Sequence, residues 1–144
     1  NTNNNKSVYN SLYYKYGTMT ASQNLQSLIY KKKEDGNPAL SVLDQLLVPH
    51  EKVYIDIPDV EAAWGVIRSM QIRGAPLIAI VACLGLAVDL ASRDETVKEL
   101  DGMKDDADAI LALIQKKTDY LRTSRPTAVN LFNALDELAN IVAN

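Results

Sequence analysis

One cysteine, one histidine and no excess of basic residues narrow the options before any motif is read. A single cysteine, Cys83, allows no internal disulfide, which fits a reducing compartment. The single histidine, His50, has no cysteine or histidine neighbour at metal-ligand spacing, and no metal site is expected. The formal net charge of -3 over 144 residues offers no general basic surface to nucleic acid. No secretory leader is legible, because residues 1–18 are polar and tyrosine-rich. The uncharged apolar run from Ala75 to Val88 falls short of the roughly 20 residues that a bilayer span needs, and it reads as a buried helix. Internal repeats, low-complexity linkers and long heptad patterns are missing too. The expectation is a soluble, cytoplasmic protein with no membrane or nucleic-acid partner.

What is present is a chain rich enough in hydrophobic residues, at 47%, to build one globular core. Residues 1–18 show no apolar period and read as an extension or tag; residues 19–144 read as the domain. Two partly alternating stretches, 25–31 and 39–46, flank the charged turn "KKEDGNP". A third, "KVYIDI" at 52–57, places Val53, Ile55 and Ile57 on one face. These predict a three-stranded antiparallel sheet. From Pro58 the period becomes helical. Val60, Ala63, Trp64, Ile67 and Met70 form a first stripe, with Asp59 as N-cap. The segment Pro76–Leu90 is apolar on nearly all sides and should lie centrally. One stripe from Thr96 to Leu121, with Gly102 as its weak point, predicts a third helix. A fourth should begin near Pro126 and bury Val129, Phe132, Leu135, Ala139 and Val142. The predicted class is α+β, a small sheet followed by about four helices. The chain stops at Asn144, in or just after a helix, and reads as the front part of a longer protein.

Two arginines stand directly before two helix starts. "IRGAP" puts Arg73 ahead of Gly74-Ala75-Pro76, and "TSRPTAVN" puts Arg125 ahead of Pro126. Proline suits the first helical position and pushes the residue before it out of helical geometry. A helix start offers free N–H groups and partial positive charge, and a guanidinium beside it can fork onto one phosphate. Both arginines could equally be solvated or paired with carboxylates, and spacing alone does not decide whether they converge. Other candidates carry less. Cys83 lies in the apolar helix with nothing nearby to make it a thiolate. Asp105, Asp106 and Asp108 lack the glycine and glutamate of a calcium loop. The tract "YKKKED" reads as a solvated turn, and Trp64 as core. No acid–base or nucleophile pair stands out.

The segments "LSVLDQLLVP", "EAAWGVIRSMQIRGAPLIAIVACLGLAVDL" and "LRTSRPTAVNLFNAL" together resemble the N-terminal part of methylthioribose-1-phosphate isomerases, from about Leu25 to the end. The wider family also holds ribose-1,5-bisphosphate isomerases and the regulatory alpha, beta and delta subunits of translation initiation factor 2B. The "LDQLLVP" and "SRPTAVN" segments favour the methylthioribose enzyme. The resemblance implies conversion of methylthioribose 1-phosphate to methylthioribulose 1-phosphate in methionine salvage, without a cofactor. It implies substrate contacts at Arg73, Gly74, Ala75 and Arg125. It implies a homodimer when the protein is full-length, and a cytoplasmic or also nuclear location. The family's catalytic cysteine and aspartate belong to a second, Rossmann-like domain after this region, so no catalytic residue is expected here, and Cys83 does not align with that cysteine. A non-catalytic regulatory subunit and a ribose-1,5-bisphosphate isomerase are the alternatives.

Overall fold

A computed structural model describes residues 25–143. The extension expected at 1–18 lies outside the described residues. Three strands come first: β1 (Leu28–Lys32), β2 (Pro38–Leu43) and β3 (Tyr54–Asp56). They form one antiparallel sheet in the order β1-β2-β3, with Tyr30 opposite Leu40 and Val42 opposite Ile55. The "KKEDGNP" turn closes the hairpin as expected, its Lys33 N–H donating to the Asn37 carbonyl at 2.8 Å. β2 ends at Leu43 because the Asp44 carboxylate accepts the Leu46 N–H and turns the chain. Val53 departs from the expected alternation. It precedes β3 and is exposed, while its carbonyl accepts the Asp44 N–H. Ile55 is half-buried and Ile57 fully buried.

Five helices follow among the described residues: α1 (Val60–Arg68), α2 (Leu77–Ser92), α3 (Asp94–Gly102), α4 (Ala107–Arg122) and α5 (Val129–Ala143). Asp59 caps α1 as expected, its side chain accepting the Ala62 N–H at 2.8 Å. The expected α1 stripe holds through Ile67, with Trp64 packed against the core, and is corrected at Met70. Trp64 is half-buried, stacked on Tyr120 and donating to the Thr123 hydroxyl. Met70 lies past the helix end in a left-handed conformation and is exposed; Ile72 fills the core instead.

α2 is central, packing on β2 and on the other four helices. Its crossing with α1 is close because Gly85 has no side chain. A Cβ there would stand 2.6 Å from the Ala63 Cβ. Gly85→Ala is therefore expected to lower unfolding free energy by about 1–3 kcal/mol, through forced separation of the two helices. Urea denaturation reads this; unchanged stability would show that the crossing yields freely.

The single stripe expected over 96–121 is two helices. The chain turns at Gly102–Met103, and the Asp106 side chain restarts it by accepting the Ala109 N–H. The last helix also departs from expectation. Pro126 is not its first residue but lies in a turn in which the Ala128 N–H donates to the Arg125 carbonyl, so α5 starts at Val129. Pro76 likewise caps α2 rather than opening it. Two apolar stripes compete on α5, and they share Leu135. The packed one carries Leu131 and Leu135, both fully buried, with Leu138 beside them. Val129 is 68% exposed and Val142 41% exposed, while Phe132 and Ala139 are half-buried.

Candidate functional site

The chain turns sharply between α1 and α2. Gly74 adopts φ +96°, a conformation that side chains disfavour, and no atom lies within 4 Å of where a Cβ would be. Glycine is there for the turn, and the space beside it is open. On the other side of that space, Ser124 is buried and its hydroxyl donates to the Leu121 carbonyl. This ends α4 and aims the chain through Arg125 into the turn before α5.

The two turns meet. Gly74, Ala75 and Ile78 form one wall of a cleft of about 350 Å³, and Arg125, Thr127 and residues 128–131 form the other. Three of the four residues singled out by sequence thus share one cleft. Arg73 does not line it. Its side chain is exposed, one residue before the wall, and its guanidinium makes no ion pair among the described residues.

The electrostatics favour an anion. α1, α3 and α4 each carry their own carboxylate in the first turn: Glu61, Asp94 with Glu95, and Asp108. α2 and α5, whose starts face the cleft, carry none. No side chain caps α2. The partial positive charge and free N–H groups of both helix starts are left without a neutralising partner from their own first turns. The Arg125 guanidinium adds a full charge, and its Nη1 is buried with no hydrogen-bond partner. A buried donor without an acceptor is costly and rare. Arg125 as a residue is half-buried in the cleft wall, where an anion would meet its charge.

Two other hollows fit an anion less well. A shallow one of about 700 Å³ on α5 is lined by Asp136 and Glu137. One of about 450 Å³ beside the sheet holds Lys31, Lys33 and Arg93 but also Asp56 and Asp59. Its Arg93 is already paired with Glu61 at 2.5 Å and Glu95 at 3.0 Å. Cys83 is half-buried; burial and the nearby Glu137 charge push its thiol pKa up, so it is held as a thiol. His50 is exposed, and among the described residues no group of three or more histidine, cysteine or acidic side chains could hold a metal. No described helix is long and apolar enough to cross a membrane.

Sequence reasoning missed Thr127 and Asn130 in the cleft wall. Asn130 was legible as a polar residue in the first turn of α5, and Thr127 as a polar residue in the turn just before it. It also missed Asp89. This side chain is 0% exposed, although it ends a run read as apolar. Its oxygens accept the Val60 N–H at 2.9 Å and the Thr96 hydroxyl at 2.5 Å, and Lys117 Nζ stands 3.2 Å away. One carboxylate joins α1, α2, α3 and α4 near the C-terminal end of α2. A lone charge in an apolar helix is the signal that could have found it.

Residues 71–144, from the Arg73 turn to the end, match the Initiation factor 2 subunit family. The chain belongs to that family. Among curated relatives it is 44% identical over 118 residues to a methylthioribose-1-phosphate isomerase of Arthroderma otae, covering 82% of this chain and 28% of that protein. It is 42% identical over 120 residues to the enzyme of that name from Vitis vinifera, covering 83% of this chain and 29% of that protein. With the enzyme of that name from Nematostella vectensis it shares 40% identity over 120 residues, covering 83% of this chain and 30% of that protein. The chain spans less than a third of the length of these relatives.

Proposed function

We propose that this chain is the N-terminal, phosphate-gripping part of an aldose–ketose isomerase that converts methylthioribose 1-phosphate to methylthioribulose 1-phosphate in methionine salvage. The observation that carries the reading is Arg125 in the wall of a cleft faced by two helix starts that carry no acidic residue in their first turns. Phosphate is the group whose charge and geometry match it. The printed names of the relatives supply the sugar.

In this reading Arg125, Gly74 and Ala75 hold the phosphate in the cleft, and Arg73 reaches over it from the adjacent turn. The phosphate sits on the anomeric carbon and blocks ordinary ring opening. A proton must then move between adjacent carbons under a positioned acid–base pair. Arginines and helix dipoles fix the phosphate so that the carbons meet that pair in one orientation. The pair itself lies outside these 144 residues, in the remainder of a full-length protein that acts as a homodimer in the cytoplasm and needs no cofactor.

Phosphorus NMR of the full-length protein with methylthioribose 1-phosphate tests this. The ketose phosphate resonance is expected to grow, and the 144-residue chain alone is expected to produce none. A folded full-length protein that turns over neither this sugar nor ribose 1,5-bisphosphate would overturn the reading and leave a non-catalytic regulatory subunit.

A further inference from the structure

We infer that Gln45 is a positioning residue for Arg73, setting where its guanidinium can reach. The inference rests on the proposed phosphate site and deepens it. The turn that carries Arg73 is bracketed by two left-handed residues, Met70 at φ +62° and Gly74 at φ +96°. Between them Ile72 is buried in the core and anchors the middle. The rest of the turn is held by the segment that follows β2. The Gln45 N–H donates to the Gln71 carbonyl at 2.8 Å, and the Gln71 side-chain amide donates to the Asp44 carboxylate at 2.8 Å. The Ser69 hydroxyl donates to the oxygen of that same amide at 2.8 Å, so both ends of the Gln71 side chain are tied. The last link bears on Arg73 directly. Its backbone N–H donates to the Gln45 side-chain oxygen at 3.1 Å.

The consequence is a residue fixed at its backbone and free at its tip. The Arg73 guanidinium has no ion pair among the described residues, while the N–H of its own backbone is tied to Gln45. That is the arrangement of a preorganised charge, which loses less freedom when a ligand arrives. The bond from Gln45 faces solvent, where water can replace it, so it adds little to global stability. Its effect is on geometry. It also brings "LDQL" to the Arg73 turn, 28 residues further along the chain.

The test is a double-mutant cycle in the full-length protein, with methylthioribose 1-phosphate as the probe. Gln45→Met keeps the length of the side chain and removes the acceptor. It is expected to raise KM about fivefold to tenfold, to change kcat by less than about twofold, and to shift the thermal midpoint by less than roughly 2 °C. In an Arg73→Ala background the same change is expected to add nothing further to KM, because Gln45 acts through Arg73. Additive effects, an unchanged KM, or a clearly lowered midpoint in both backgrounds would overturn the inference and leave Gln45 a structural residue. These results differ from failure of the site itself. Normal kinetics for Arg73→Ala, or no turnover by the parent, would overturn the phosphate site and this inference with it.

Discussion

Arg125→Ala in the full-length protein is expected to lower kcat/KM for methylthioribose 1-phosphate by about 10- to 150-fold while leaving the fold as stable as before or slightly more stable. The two halves of this expectation have one cause. Arg125 Nη1 is buried without a partner, which burdens the empty protein. A charge-assisted bond to phosphate is worth about 1.5–3 kcal/mol, and that converts to the stated range of rates. Arg125→Lys keeps the charge and loses the fork, so it should recover only part of the activity. Steady-state kinetics and a thermal melt on the same samples check both halves. A variant with normal kcat/KM and a lowered melting temperature would show that Arg125 serves the fold alone. The opposite pattern, lost activity with retained stability, is the mark of a residue that carries strain for function.

Asp89→Ala is expected to lower unfolding free energy by about 3–5 kcal/mol, a large share of what a domain of this size has. The substitution strips the Val60 N–H, the Thr96 hydroxyl and the Lys117 ammonium of one shared acceptor. Burial alone would push the Asp89 pKa up. The hydrogen bonds from Thr96, Val60 and Lys117, together with the Lys117 charge, outweigh it and hold the carboxyl below its ordinary value. The unfolded chain therefore takes up its proton at higher pH than the folded one. Asp89 contributes fully above pH about 4, and that contribution is lost as pH falls through the lower folded value. Urea midpoints measured from pH 7 downward should show the wild type and Asp89→Ala converging below pH about 4. A gap that stays constant into acid would mean that the charge of Asp89 contributes nothing.

The sheet, the Asp59 cap and the central apolar helix were legible because each rests on local chemistry: period, turn residues, a capping carboxylate. Where tertiary packing chose between local options, the sequence was silent. Leu135 belongs to two stripes on α5, and only packing against α2 and α4 selects Leu131 over Val129. Gly102 weakened the long stripe visibly, but the restart depends on Asp106, whose side chain read as one of three clustered acids. At the site, Arg73 and Arg125 could be picked out by their prolines, although neither proline opens a helix as expected. Their different roles could not be read, because one arginine lines the cleft and the other stands outside its wall. The tie from Gln45 to Arg73 joins residues 28 apart in the chain and leaves no local signature.

The most direct test of the central claim is a crystal structure of the full-length protein with its sugar phosphate bound. The account places the phosphate in the cleft between Gly74-Ala75 and the first turn of α5, with oxygens about 2.7–3.2 Å from the Arg125 guanidinium and from backbone N–H groups. A phosphate bound elsewhere, with Arg125 Nη1 still unpartnered, would contradict it.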